Sequence, residues 1–199
     1  MNKVKSFYRL EVICGPMFSG KTEELIRRVK RLKYSNTDYI VFKPKIDTRY
    51  SEFSVVTHDR VSLTSFTVDS AQHILEACDN NPQVRVIAID EAQFFLKEES
   101  TGPNLLAVCQ HLKAKGYRVI VNGLDMDYLG RPFGLMPELM AIADEVSKLK
   151  SVCAVCGSEA SMTYHMNKTD ESQVEIGSED KYQARCFEHW VKGEDSTEE

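Results

Sequence analysis

Residues 15–22 run Gly-Pro-Met-Phe-Ser-Gly-Lys-Thr, a complete G-x-x-x-x-G-K-[ST] string, and few strings restrict a fold so tightly. Its backbone N–H groups can cup a phosphate only if the chain enters as a strand, turns on glycines and leaves as a helix. The flanks meet that demand. Leu10-Glu11-Val12-Ile13-Cys14 is a β-like run ahead of it, and Leu25, Val29 and Leu32 recur at i, i+4 and i+7 behind it. Lys21 is placed to reach β- and γ-phosphates, and the Thr22 hydroxyl to ligate Mg²⁺. The string therefore predicts a nucleoside triphosphate site.

The rest of the first 149 residues alternates strand-like and helix-like segments. Tyr39-Ile40-Val41-Phe42 predicts a buried strand, Asp69 caps a helix running toward Cys78, and Val84 to Ile89 is the strongest strand signal. Pro103 opens a helix that Gly116 closes, Arg118 to Asn122 is the next strand, and Glu138 to Val146 reads as a further helix. Such alternation predicts an α/β fold: a P-loop NTPase-type, mostly parallel sheet flanked by helices. Past residue 149 cysteines cluster and turn residues multiply. A small second unit is expected over 150–192, with an acidic, apolar-poor and disordered tail over 193–199.

The net charge of −5 argues against a chain built to coat nucleic acid. The basic run Arg27, Arg28, Lys30, Arg31 and Lys33 shares a helix with apolar Leu25, Val29 and Leu32, and so is expected to be a solvated face. No stretch approaches the roughly 20 apolar residues of a membrane span. Glu11 interrupts the first apolar run, which predicts no secretory signal and a cytoplasmic chain. Its six cysteines are then core residues or metal ligands rather than disulfides.

A phosphate loop needs a second carboxylate for Mg²⁺ at the end of an apolar strand, and Asp90 follows Val84 to Ile89. Glu91 beside it is placed to act as general base or to position a nucleophile. Asp59 and Arg60 could join the metal and phosphate shell. Asn167-Lys168-Thr169-Asp170 matches the N-K-x-D string of switch GTPases. It sits in a turn-rich segment, however, and Asp90-Glu91-Ala92-Gln93 replaces the D-x-x-G those proteins carry, so it is read as a turn.

Cys153-Ala154-Val155-Cys156-Gly157 is a C-x-x-C knuckle, and Cys186-Phe187-Glu188-His189 supplies C-x-x-H after a gap of 29 residues. That gap exceeds the 15–20 residues of zinc ribbons, so a longer loop is held between the pairs. Cys153, Cys156, Cys186 and His189 form an accepted structural zinc set with no open position. His165 is a rival fourth ligand but lacks a second ligand at i±3. Cys14, Cys78 and Cys109 read as small core residues, and His58, His73 and His111 as surface or supporting residues.

Taken in order, these pieces resemble the zinc-containing cellular-type (type II) thymidine kinases, in a bacterial-like form, from about Leu10 to Trp190. Asp47-Thr48-Arg49-Tyr50, Thr57-His58-Asp59-Arg60, Gly123-Leu124-Asp125, Pro132-Phe133-Gly134 and Lys181-Tyr182 extend the resemblance. It implies transfer of the γ-phosphate of ATP to the 5′-hydroxyl of thymidine or deoxyuridine. Glu91 would take the hydroxyl proton, Thr22, Asp59 and Asp90 would serve Mg²⁺, and Lys21 and Arg60 would neutralise phosphoryl charge. Gly15, Pro16, Met17, Phe18, Ser19 and Gly20, with Ala92 and Gln93, would complete the phosphate site. Phe94, Leu124, Tyr128 and Phe133 would line the nucleoside pocket, with Met17 and Thr163 near the thymine methyl. Val174, Glu175, Ile176 and Gly177, with Tyr182, would form a lasso-like lid anchored by the zinc unit. The resemblance also implies a homotetramer open to feedback by dTTP. Two departures stand out: the C-x-x-H second pair and Tyr128 at a position that can be Phe. Two other readings remain open at this point: an ATPase that uses Glu91 to activate water, and a nucleic-acid-binding zinc module with a nucleotide switch.

Overall fold

The computed structural model describes residues 7–45, 54–56, 62–95, 97, 102–166 and 181–193. In chain order, β1 (Arg9–Cys14) leads through the phosphate loop to α1 (Lys21–Lys30), a 3₁₀ turn (Arg31–Ser35) and β2 (Tyr39–Pro44). A short antiparallel pair, β3 (Ser54–Val56) and β4 (Ser62–Thr64), precedes β5 (Phe66–Val68) and α2 (Gln72–Asn80). Then come β6 (Val86–Ile89), α3 (Leu105–Ala114), β7 (Arg118–Gly123), α4 (Met136–Ile142) and β8 (Glu145–Lys148). The remainder is short: β9 (Ser151–Val152), β10 (Glu159–Ala160), β11 (Met162–His165), β12 (Tyr182–Arg185) and α5 (Phe187–Lys192).

Six strands form one sheet in the order β5-β2-β6-β7-β1-β8, and every pairing in it is parallel. Strand side chains alternate between faces, and the core divides accordingly. Leu10, Val12 and Cys14 of β1, Ile87 and Ile89 of β6 and Val119 and Val121 of β7 meet α2, α3 and α4 on one side. Ile13, Val86, Ala88 and Ile120 face the other way, onto Leu25, Ile26 and Val29 of α1 and Leu32 of the 3₁₀ turn. β9 to β12 form two antiparallel ladders of two strands each, whose core cluster among the described residues is Cys153, Ala160 and Ala184.

Three expectations need correction. The segment predicted as one helix from Glu138 to Val146 is two elements: α4 ends at Ile142, Ala143 is extended, and β8 adds itself in parallel to β1. Each half is too short to show its own period, so the α4 pattern carries over a strand whose buried partner is far away in sequence. Asp69 caps no helix; α2 begins at Gln72, and Asp69 pairs with Lys45 at 3.0 Å. The basic run is not uniformly solvated. Glu11 lies on the same sheet face as Ile13, under α1, and Arg28 turns inward to meet it at 2.7 Å with only 8% of its surface exposed. Burial alone would raise the Glu11 carboxyl, but Arg118, Arg28 and Arg9 hold it below its usual range.

Candidate functional site

The phosphate loop leaves the carboxyl end of β1 in a conformation that its residue types explain. Gly15 has φ 142°, and a Cβ there would sit 2.4 Å from the Leu149 carbonyl oxygen, so no other residue fits. Gly20 opens α1 at φ 77°. Phe18 adopts φ 62° without being glycine, a strained state that its surroundings must hold. Those surroundings include the C-terminal ribbon: the Ser151 hydroxyl donates to the Phe18 carbonyl at 2.9 Å, and the Phe18 ring packs against the Cys153, Ala160 and Ala184 cluster. The Met17 N–H donates to Thr163 Oγ1 at 3.1 Å. On the loop's rim, Lys21 Nζ and Ser19 Oγ both donate to the Pro16 carbonyl, at 2.7 and 2.8 Å.

Opposite, one strand separates β1 from β6, which puts the two strand ends about 10 Å apart. Asp90 ends β6, buried, with its N–H on the Phe42 carbonyl at 2.8 Å. Asn122 Nδ2, on the intervening β7, donates to Asp90 Oδ1, as does the Glu91 N–H at 3.1 Å. Glu91 then takes φ 52°, turning the chain out of the sheet and into the 3₁₀ turn Ala92–Phe94. Gln93 Nε2 meets Glu91 Oε2 at 2.5 Å. Asn122 carried no sequence signal beyond its place at a strand end. Lys148, at the end of β8, carried none either; it pairs at 2.8 Å with Asp125, which the sequence had offered only as part of Gly123-Leu124-Asp125. This pair adjoins Cys14, whose thiol burial pushes up to about 11, with Asp125 adding to the shift.

The expected nucleoside-pocket residues fall into contacting groups. Phe94 and Phe133 meet edge to face with ring centres 5.8 Å apart. Tyr128 and Tyr182 are buried and 6.2 Å apart, with His165 against both. Thr163 is buried at Met17, and the Leu124 N–H is held by Gln93 Oε1 at 3.0 Å. Trp190, absent from the sequence-based candidates, ties α5 to the pocket through Nε1 and the Tyr128 carbonyl at 3.1 Å. Tyr128, Leu129, Tyr164, His165 and Trp190 line a cavity of about 230 Å³. Asp59, Arg60 and residues 174–177 lie outside the described residues, as does the Asn167 to Asp170 turn.

The four expected metal ligands converge. Ligand atoms of Cys153, Cys156, Cys186 and His189 all lie within 4.8 Å of one another. Cys156 Sγ is 3.9 Å from Cys186 Sγ, and His189 Nδ1 is 3.7 Å from Cys153 Sγ and 3.1 Å from Cys186 Sγ. Tetrahedral zinc with bonds of about 2.3 Å to sulfur has edges of about 3.8 Å, so the donor set fits the ion in type and size. Burial would raise the Cys153 thiol, yet the backbone N–H groups of Cys186, Cys156 and Val155 draw it down to about 6. His165 is not part of the cluster; it belongs to the tyrosine group. Cys78 and Cys109 sit in the core, their thiols pushed up to about 12 by burial.

A family model described as thymidine kinase matches residues 8–190. The chain is 49% identical to a thymidine kinase of Bacteroides thetaiotaomicron over 189 residues, 94% of this chain and 90% of that one. It is 49% identical to a thymidine kinase of Rhodothermus sp. over 177 residues, 89% of this chain and 78% of that one. Among solved structures, the genome packaging NTPase B204 of Sulfolobus turreted icosahedral virus 2 aligns over 73% of this chain and 75% of that one at 17% identity. Its TM-score of 0.46 is too loose to bear on function.

Proposed function

The chain belongs to the thymidine kinase family, and from that premise we propose that Glu91 takes the 5′-hydroxyl proton as ATP phosphorylates thymidine or deoxyuridine. The O5′ lone pair attacks Pγ, the bond from Pγ to the β-bridging oxygen breaks, and its electron pair leaves with ADP. The O5′ proton passes to the Glu91 carboxylate, giving dTMP from thymidine. The observation that carries this assignment is the placement of Glu91. It is the residue after the buried strand-end Asp90, in a left-handed turn away from the sheet, across one strand from the phosphate loop.

Lys21 and Arg60 neutralise charge on the transferring phosphoryl group, and the backbone of residues 15–20, with Ala92 and Gln93 across the cleft, shapes its site. Thr22, Asp90 and Asp59 would hold Mg²⁺, which supplies charge neutralisation at the β- and γ-phosphates. Phe94, Leu124, Tyr128 and Phe133 wall the nucleoside, and Met17 and Thr163, already bonded to each other, lie at the base methyl. Residues 174–177 and Tyr182 close over it. Cys153, Cys156, Cys186 and His189 would hold zinc, whose chemistry is structural: four bonds that join the two ends of that lid. The division at 149/150, with a tail from 193, the homotetramer, feedback by dTTP and the absence of nucleic-acid partners belong to the same reading. So does a cytoplasmic location, where thiols stay reduced: three cysteines lie buried in the sheet core and three at the proposed zinc site. Among the described residues no helix is long and apolar enough to cross a membrane.

The test is transfer of labelled γ-phosphate to a nucleoside panel. Label on thymidine and deoxyuridine, with little ATP turnover when no acceptor is present, is expected. Acceptor-independent hydrolysis with no labelled nucleoside would replace the kinase by an ATPase.

A further inference from the structure

Gln93 is a buried amide with both ends committed, 2% exposed, in the 3₁₀ turn that follows Glu91. Its Nε2 donates to Glu91 Oε2 at 2.5 Å, and its Oε1 accepts the Leu124 N–H at 3.0 Å. Burying an amide costs more than burying a hydrocarbon of the same size unless its bonds are needed. The surrounding chain is shaped around this one. A Cβ at Gly123, the last residue of β7, would lie 2.7 Å from Gln93 Oε1 and 2.8 Å from Met136 Sδ. A Cβ at Gly134, where φ is 53°, would lie 2.4 Å from the Gln93 carbonyl oxygen. Glycines thus make room for both the side chain and the backbone of Gln93.

We propose that Gln93 is a positioning residue for phosphoryl transfer: it pins Oε2 of Glu91 and thereby turns Oε1 toward the acceptor hydroxyl. This rests on the reading of Glu91 as the base. A glutamate side chain swings about several bonds, and a base that wanders by 1 Å can lose about a hundredfold in rate. Gln93 removes that freedom and does so from a fixed point. Its other end is bonded to the backbone of Leu124, in the segment proposed to wall the nucleoside, so base and pocket wall are set to a common frame. The assignment is distinct from direct contact between Gln93 and phosphate. The bonds at 2.5 and 3.0 Å use one of the two amide donors and one acceptor position, so the positioning role adds to the place of Gln93 in the phosphate site rather than replacing it.

The experiment compares Gln93→Met, Gln93→Glu, Glu91→Gln and the double variant Glu91→Gln/Gln93→Met in the full chain. Methionine keeps the length and loses both hydrogen bonds; glutamate keeps the acceptor for Leu124 and loses the donor to Glu91. Both Gln93 variants should lose about ten- to hundredfold in kcat, with KM for ATP within about twofold, and Gln93→Glu, which keeps the Leu124 bond, should also hold KM for thymidine within about twofold. Because Gln93 acts through Glu91, the double variant should be no slower than Glu91→Gln alone. If Glu91→Gln keeps near-normal kcat, the base reading fails and the positioning role goes with it. If Glu91→Gln collapses but Gln93→Met turns over normally, raises only KM, or multiplies its loss with that of Glu91→Gln, the positioning role alone is overturned. Should Gln93→Glu fail to fold, Gln93→Met still decides.

Discussion

The sheet and the ribbon hold their halves of the site by different means. Behind the phosphate loop stands a core of large aliphatic side chains, with Leu10, Ile87, Ile89, Leu105, Leu112, Met136 and Leu139 all inaccessible to solvent. Behind Thr163 and Tyr182 stands a cluster of Cys153, Ala160 and Ala184, with Phe18 and Cys186 against it. These small residues, with Met162 and Tyr182 the only large apolar side chains buried among the ribbon's described strands, leave four short strands and a six-residue helix with far less apolar burial than the sheet has. The sheet is held by apolar burial, spread over many side chains. On the proposed zinc reading the ribbon depends on its four donors, so its stability is concentrated in one bond network. One consequence is graded damage on the sheet side and all-or-none damage on the ribbon side.

Cys156→Ser tests this most strongly, because Cys156 is exposed and its loss removes no packing. About one zinc per chain is expected in the parent protein and none in the variant. Structural zinc contributes on the order of 10 kcal/mol to small metal-held units. The ribbon should therefore become protease-sensitive and nucleoside phosphorylation should fall more than about a hundredfold, while the sheet still unfolds cooperatively. A variant that keeps a protected ribbon without metal would erase the contrast. The next effect in size is Leu139→Ala, in α4 and fully buried. A loss of about 2–5 kcal/mol by denaturant midpoint is expected, with zinc content and kcat at low temperature unchanged. Loss of zinc in that variant would mean that the ribbon leans on the sheet core after all.

The sheet was largely legible from local pattern, and the ribbon only through its ligands. The phosphate string dictates strand, loop and helix at once, and β2, β6 and β7 carry apolar runs dense enough to stand out. β8 does not: Glu145-Val146-Ser147-Lys148 is a solvent-edged strand defined by pairing with β1, which no local window contains. Arg28 failed for a related reason, since only the fold puts Glu11 beneath it. In the ribbon, paired cysteine spacing singled out the four residues that cluster, and spacing alone set His189 apart from His165. Its contacts with the phosphate loop were invisible, because Met17 to Thr163 and Phe18 to Ser151 join residues more than 130 apart. Strand order likewise hid the contacts of Asn122 with Asp90 and of Gln93 with Leu124, each between residues about thirty apart that only the parallel pairing of β6 and β7 brings together.

Those loop contacts give a smaller test of whether the two regions are independent. Ser151→Ala removes a partly buried hydroxyl that holds the Phe18 carbonyl, and Phe18 sits in a strained conformation. A single such bond contributes about 1 kcal/mol, so KM for ATP should rise about fivefold. The readout is ATP titration at saturating thymidine, with zinc content measured alongside. Unchanged ATP affinity would separate the ribbon from the donor loop and leave it serving the acceptor alone.

The smallest expected effect lies on the sheet side, in the polar joint between α1 and the sheet. Glu24 accepts from Arg27 at 2.6 Å and from Arg28 at 2.7 Å, and Arg28 continues to Glu11 and to Ser147 on β8 at 2.7 Å each. The hydrogen bond from Arg27 is the main cause that lowers the Glu24 carboxyl from its ordinary 4.5 to about 2, against a smaller opposing effect of burial. A carboxyl lowered on folding adds stability that is complete above the unfolded value and is lost as pH falls through the folded one. The contribution is therefore full above about pH 4.5 and fades toward pH 2. Arg27 is more than half exposed, so screening limits the pair to about 1 kcal/mol rather than the full shift. Glu24→Gln should thus be less stable than the parent by about 1 kcal/mol at pH 7. By urea midpoint, the two proteins should converge as the pH approaches 2. A gap that persists at pH 2 would show that Glu24 acts by packing α1 onto the sheet. The sheet side would then be apolar throughout, and its contrast with the ribbon sharper.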